Sequence, residues 1–280
     1  MKKALKIFYL YSALSLKTIF QTKLGGIFLL FGKIFRFAFL FLMIYLVFSK
    51  TRLVKGYSLD QTIIFYLTFN IIDSVSQILF REVYRFRPQI VSGSFDLTLL
   101  KPHHPFIKIL IGGVDYLDLI LLIPYIFLTI FFILKLPCFS LVTLIPYFLL
   151  MLNSLVIATA FHLAVLALAI LTTEIDHTIM IYRDITGLAR FPMEIYREPI
   201  RGIFTFIIPV GIMMTFPAKA LMGLLTPNAY LLTFLISGLL LFFSLKLWKS
   251  ALTKYQSWGG WFKFTIYNFK FSLNFKTFLN

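Results

Sequence analysis

The chain has 280 residues, 60% hydrophobic and 14% charged, with a net charge of +16 and a mean hydropathy of +0.90. A soluble domain is about half apolar and about a quarter charged, so this composition excludes one, and it is too apolar for the alternating pattern of a β-barrel. The positive charge suits cytoplasmic loops against anionic headgroups rather than nucleic acid, and the single cysteine, Cys138, excludes an internal disulfide or a thiolate metal cluster.

Residues 1–25 carry five lysines among aromatic and aliphatic residues. Lys6 and Lys17 interrupt the apolar run and no small-residue cleavage site follows, so a retained amphipathic helix along the interface is expected. A first span is expected over 26–48, with Lys33 and Arg36 near its first end, from which they reach the headgroups. The second span, 59–80, is the least apolar. Thr62, Tyr66, Asn70, Asp73 and Gln77 recur at three- and four-residue spacing, which is one helix face. That face either glues helices together or lines a water-filled path.

Residues 81–104 form a polar, arginine-rich interruption. A third span is expected over 109–134, with Asp115 and Asp118 on neighbouring positions of one face. They read as an acid–base or cation site, or, as we prefer, as headgroup-level carboxylates paired with nearby Lys or Arg. The fourth span is expected over 146–171, its regular part starting at Pro146, with Asn153 and His162 as polar members. Residues 172–201 form a second polar stretch. Ile179, Tyr182, Ile185 and Leu188 recur at helical spacing, as in an interfacial cytoplasmic helix ending before Pro192. Residues 202–225 are apolar but broken by Pro209, Gly211, Pro217 and Gly223, so a discontinuous fifth span is expected. A sixth follows over 228–247, and 248–280 form a basic, aromatic cytoplasmic tail with Trp258, Trp261 and Lys263 as interface anchors.

The expected fold is therefore all-α: one polytopic membrane domain over 1–280 with six spans and an N-terminal interfacial helix. With the termini inside, the internal segments hold twenty Lys and Arg against five in the external turns, so both termini are expected in the cytoplasm. No phosphate-binding G-x-x-x-x-G-K-[ST] loop, HExxH, CxxC or GxSxG elbow occurs, and Glu174, Asp176 and His177 are too few and too loosely placed for a metal site. Neither a catalytic nor a metal site is expected.

Three stretches carry a resemblance. Residues 90–102, IVSGSFDLTLLKP, hold a G-x-x-D-x-x-L-x-x-P pattern on Gly93, Asp96, Leu99 and Pro102. Residues 191–223 hold paired prolines with F-P-A around Pro217, and residues 248–260 read WKSALTKYQSWGG. In this order and topology they resemble ABC-2-type transporter permeases, in the six-span subfamily once listed as a domain of unknown function. The aromatic tail after Gly260 is not part of that pattern.

The resemblance implies a permease subunit in the cytoplasmic membrane of a prokaryote, mostly an exporter of amphipathic molecules. It would pair with a second permease chain, identical or related. Two cytoplasmic ABC ATPase subunits would carry the ATP and Mg, and this chain would need no cofactor of its own. The family's coupling helix maps onto Ser92, Gly93, Ser94, Phe95, Asp96, Leu99, Leu100 and Lys101. Phe95, Leu99 and Leu100 would anchor in an apolar groove of the ATPase, with Asp96, Arg87 and Lys101 setting orientation. Tyr66, Asn70, Asp73 and Gln77 would line the translocation path. An apolar path with one acidic group suits hydrophobic or cationic cargo, though lipids and peptides also fit. The alternative is a cation-coupled secondary transporter using Asp73 and the Asp115/Asp118 pair.

Overall fold

The computed structural model describes residues 9–10, 12–15, 17, 23–51, 53–100, 114–136, 140–172 and 176–255. Most of the N-terminal interfacial segment, Lys101, Pro102, the expected start of the third span, Cys138, Glu174 and the tail with Trp258, Trp261 and Lys263 lie outside the described residues, as do the side chains of Asp176 and His177. The described residues are helical, with no strand beyond one bridge between Val54 and Tyr57.

In chain order the helices are α1 (Lys23–Lys50), α2 (Leu59–Phe80), α3 (Phe86–Val91), α4 (Ser94–Leu99), α5 (Tyr116–Leu134), α6 (Leu141–Thr172), α7 (Asp176–Leu188), α8 (Ile200–Ile207), α9 (Val210–Leu221) and α10 (Pro227–Lys254). Helices α1, α2, α5, α6 and α10 are long and apolar enough to cross a membrane, and the bent pair α8–α9 makes a sixth if counted as one span.

Local chemistry sets the boundaries. Ser58 and Gln61 form a reciprocal capping box at the start of α2. The Asp115 carboxylate caps α5 by accepting from the Leu117 N–H at 3.0 Å. Pro227 opens α10, where its missing N–H costs nothing. Helix α6 begins five residues before Pro146, because the Ser140 hydroxyl caps it through the Val142 N–H at 3.3 Å.

Helix α2 is the most enclosed of the long helices and α1 the least. Beside α2 lie α5 and α6, and α9 and α10 pack on α6. Polar groups meet across these contacts: Ser237 on α10 donates to Asn153 on α6 at 2.6 Å, and Ser154 on α6 donates to the Met213 carbonyl on α9 at 2.5 Å. The core divides in two. One cluster joins Ile44, the start of α2, the end of α5 and Leu221, so it marks the turn end of the bundle. The larger one runs from Phe69 to Phe95, Trp248 and Tyr255, and reaches the opposite, loop end.

One segment departs from expectation. Helix α7 does not lie flat at an interface. The Tyr182 ring packs 5.5 Å from Phe161 and 4.9 Å from His162. His162 is about 15 Å along α6 from Thr172, at about 1.5 Å per residue. Further on, the Arg190 guanidinium sits 5.4 Å from the Phe69 ring, midway along α2. Ile179, Thr186, Ala189 and Met193 are buried. Glu194 then pairs with Lys219 near the end of α9. The chain from Asp176 to Glu194 thus climbs beside α6 and α2 toward the turn end. One apolar stripe serves a helix on a headgroup layer or a helix packed on a bundle equally well, so periodicity alone could not choose.

The fifth span is broken, as expected, and sharply: α8 and α9 meet at 89°. Helix α9 has 12 residues, about 18 Å of rise against a hydrocarbon core of about 30 Å. The elbow is packed through Gly211, where a Cβ would lie 2.9 Å from Thr205 Oγ1 and 3.1 Å from Thr205 Cα.

Candidate functional site

The loop after α2 is a continuation of that helix. A 3-10 turn, Arg81–Arg85, leads straight into α3. The chain reverses at Gly93, whose φ of +70° is in the left-handed region where a side chain is disfavoured. Serines fasten the reversal: Ser92 Oγ donates to Ser94 Oγ at 3.0 Å, and Ser94 Oγ donates to the Gln89 carbonyl at 3.4 Å. Helix α4 then lies against the bundle.

The inward face of α4 is aromatic. Phe95 is fully buried and meets Phe86 and Tyr255 edge-to-face, each at 5.0 Å. The Tyr255 hydroxyl donates to Asp96 Oδ1 at 2.8 Å. Burial, then the Asp96 carboxylate, pushes the Tyr255 phenol well above its ordinary pKa. Val83, Phe86 and Ile90 complete this core, and Leu99 packs against it half-buried. The outward face is Val91, Leu97 and Leu100, with Leu97 and Leu100 about two-thirds exposed (64% and 66%).

This arrangement corrects the anchor assignment. Phe95 is unavailable to an external groove, because it plugs the chain's own core between α3 and the end of α10. Leu100 stays outward, Leu99 turns partly in, and Leu97 joins the outer face. Asp96 is engaged inward with Tyr255. Ser92 and Ser94 are exposed and Gly93 makes the turn. Tyr255 lies within the 248–260 motif, and only the fold brings it to Asp96, 159 positions away.

The stripe on α2 is largely satisfied within the chain. Tyr66 is buried, stacks on Phe37 at 5.4 Å and donates to the Phe37 carbonyl at 3.3 Å. Asn70 donates to the Tyr66 carbonyl at 2.6 Å, and Gln77 to the Tyr84 hydroxyl at 3.0 Å. Tyr66 therefore joins α2 to α1. Asp73 is half-buried and lies within electrostatic reach of Arg36, Arg183, Arg190 and Lys33. Asp118 pairs with Lys33 at 2.7 Å and Asp115 with Arg81 at 3.3 Å. His162 packs against Phe80, its Nδ1 bonded to the Ala158 carbonyl at 2.7 Å.

A family model described as ABC-2 family transporter protein matches residues 34–259, from α1 to just past α10. The chain belongs to this family. No curated protein and no solved structure matches it. As an ABC-2 family permease, it is a multi-pass transport protein of the membrane. The match spans the α2–α4 loop, the α8–α9 elbow and the Tyr255 region, the three places where the sequence motifs lie.

Proposed function

We propose that the permease is the membrane subunit of an ATP-driven exporter whose energy comes from a separate ATPase. Two permease chains, identical or related, enclose the path in the cytoplasmic membrane of a prokaryote. Two ATPase subunits, each with ATP and Mg, dock on the loop end. This chain itself performs no covalent chemistry, in keeping with the lack of any phosphate-binding loop in its sequence. The observation that carries the reading is α4, a short helix held rigidly from within by Phe95 and Tyr255 while Leu97 and Leu100 face outward.

A push on α4 has two described routes into the bundle. It passes through α3 into α2, which is one continuous helical stretch from Leu59 to Val91. It also passes through Tyr255 into α10. Orientation follows from charge. Even without the arginines of 172–201, segments 1–26, 81–108 and 246–280 hold five, five and six Lys and Arg. The turns hold only Lys50, Arg52, Lys55, Lys135 and Lys219, so the loop end is cytoplasmic. The cation-coupled alternative loses its dyad, since Asp115 and Asp118 each already have a basic partner.

The test is co-purification with an ABC ATPase co-expressed with this chain. Replacing Leu97→Asp and Leu100→Asp together removes two apolar anchors worth about 1.5–3 kcal/mol each, so ATPase retention is expected to fall more than tenfold while the permease stays folded. Retention at the wild-type level would overturn the docking face.

A further inference from the structure

We infer that the cargo is an anionic amphiphile, whose phosphate, sulfate or carboxylate headgroup is received at mid-depth by Arg36, Arg183 and Arg190 around Asp73. The inference rests on the transporter reading above. The sequence pointed the other way, toward hydrophobic or cationic cargo, because α2 carries one acid and no base on its polar stripe. The fold reverses the balance. Helix α7 and the turn after it, rather than staying in a cytoplasmic loop, run beside α2: the Arg190 guanidinium sits 5.4 Å from the Phe69 ring, one turn from Asp73, and Tyr182, next to Arg183, meets His162, which packs on Phe80, while on α1 Phe37, next to Arg36, stacks on Tyr66.

Lys33 is also near, but its ammonium is committed to Asp118. Among the described side chains the further acids are Asp118, held by Lys33, and Asp184, next to Arg183 on the exposed side of α7. With the Lys33–Asp118 pair set aside, three guanidinium groups thus face two carboxylates among the described side chains, a net positive set. Among the described residues none of the three arginines forms an ion pair within 4.0 Å. Arg36 stands midway along α1 and Arg190 stands over Phe69, midway along α2. Charges at that depth cost several kcal/mol unless a ligand or partner compensates them.

Guanidinium is the group for such a ligand. Its planar fork matches a phosphate, sulfate or carboxylate with two hydrogen bonds at once. The surroundings supply the other half of an amphiphile's needs. Phe39 lies one turn from Arg36 and Met180 one turn from Arg183, and both are exposed apolar side chains, at 58% and 63%. Phe39 lies toward the turn end and Met180 toward the loop end, so an alkyl chain leaving the arginines runs along one or the other.

Binding is tested on the full purified chain in uncharged maltoside detergent by native mass spectrometry, with dodecyl phosphate and dodecyltrimethylammonium as probes of equal chain length. Dodecyl phosphate is expected to bind at least tenfold more tightly. The R183Q/R190Q double variant is expected to lose about tenfold or more of that affinity, R183K/R190K, which keeps the charge and loses the fork, to fall between it and wild type, and K249Q, on the far part of α10, to leave it unchanged. Asp73→Asn is expected to tighten dodecyl phosphate severalfold, a gain that misfolding cannot imitate. Preference for the cation, or weaker phosphate binding in Asp73→Asn, would overturn the charge assignment. A second arm separates cargo from a resident lipid, using proteoliposomes with the ATPase, ATP and fluorescent lysophosphatidic acid. ATP-dependent movement of that probe between leaflets supports cargo, whereas binding without movement in a complex that hydrolyses ATP overturns it. Assembly with the ATPase is scored separately by co-purification, so failure there counts against the transporter reading and leaves the binding result standing.

Discussion

Tyr255→Phe isolates the bond that ties α4 to α10. The ring is 4% exposed and stays edge-to-face with Phe95 at 5.0 Å in the variant, so only the hydroxyl bond to Asp96 at 2.8 Å is removed. A hydrogen bond to an ionised acceptor contributes about 1.5–3 kcal/mol. Asp96 is half-buried, so water re-solvates part of its carboxylate once the hydroxyl is gone, and the expected loss is about 1–1.5 kcal/mol. Tyr255→Ala also removes the ring and is expected to cost about 3–5 kcal/mol. The assay is denaturant unfolding of the purified chain for Tyr255→Phe, Asp96→Asn and the double variant. A coupling energy of about 1 kcal/mol is expected from the cycle, and one within about 0.3 kcal/mol of zero would refute the latch. The pH dependence gives an independent check. The folded phenol titrates above its ordinary value of 10.0. Below that pH both states hold the proton and the bond contributes in full. Above it the unfolded chain releases the proton first, so the folded state binds more protons and stability falls. Wild type is expected to show an extra loss above about pH 10 that Tyr255→Phe lacks.

Three other substitutions probe the frame around the site. Gly93→Ala places a Cβ no closer than 3.9 Å to Asp96 Oδ2, so only the left-handed backbone resists it; about 1–2 kcal/mol of destabilisation is expected in the same unfolding assay. Gly211→Ala drives a Cβ to 3.1 Å from the Thr205 Cα, which is backbone and cannot swing away. It is expected to open the α8–α9 elbow at a cost of about 1–3 kcal/mol, read as a lower unfolding midpoint. Lys33→Gln leaves Asp118 unpaired; with Lys33 about a quarter exposed (27%), the expected loss is smaller than for a fully buried pair, about 1–3 kcal/mol. The K33D/D118K exchange is expected to recover more than half of it, and no recovery would show that the pair contributes nothing specific.

Much of the site was legible in the sequence for a simple reason: short-range chemistry is written in short stretches. Gly93 and the serines beside it mark the reversal before α4, whereas Asp115 reads as a residue inside the third span and the fold shows it capping the start of α5. The α2 stripe was legible as a helix face, but not what each member touches. Its bonds run to Phe37, Tyr84 and the stripe's own backbone, and only packing brings Phe37 into reach. Phe95 reads as an outward anchor in a short amphipathic helix, because apolar spacing does not say which apolar side is wet. Its partners Phe86 and Tyr255 decide that, and Tyr255 is far away in sequence.

Composition, length of apolar runs and the distribution of Lys and Arg fixed the class by themselves, because a bilayer admits few solutions to backbone hydrogen bonding. An all-α multi-pass chain followed from that alone, and Pro209, Gly211, Pro217 and Gly223 added the break in the fifth span. The tertiary structure alone decided the depth of α7 and the latch between Asp96 and Tyr255. An amphipathic helix with a few arginines is at home on a headgroup layer or inside a bundle. Only its neighbours, Phe161, His162 and Phe69, put its charges beside Asp73, and that placement changes the sign of the cargo expected there.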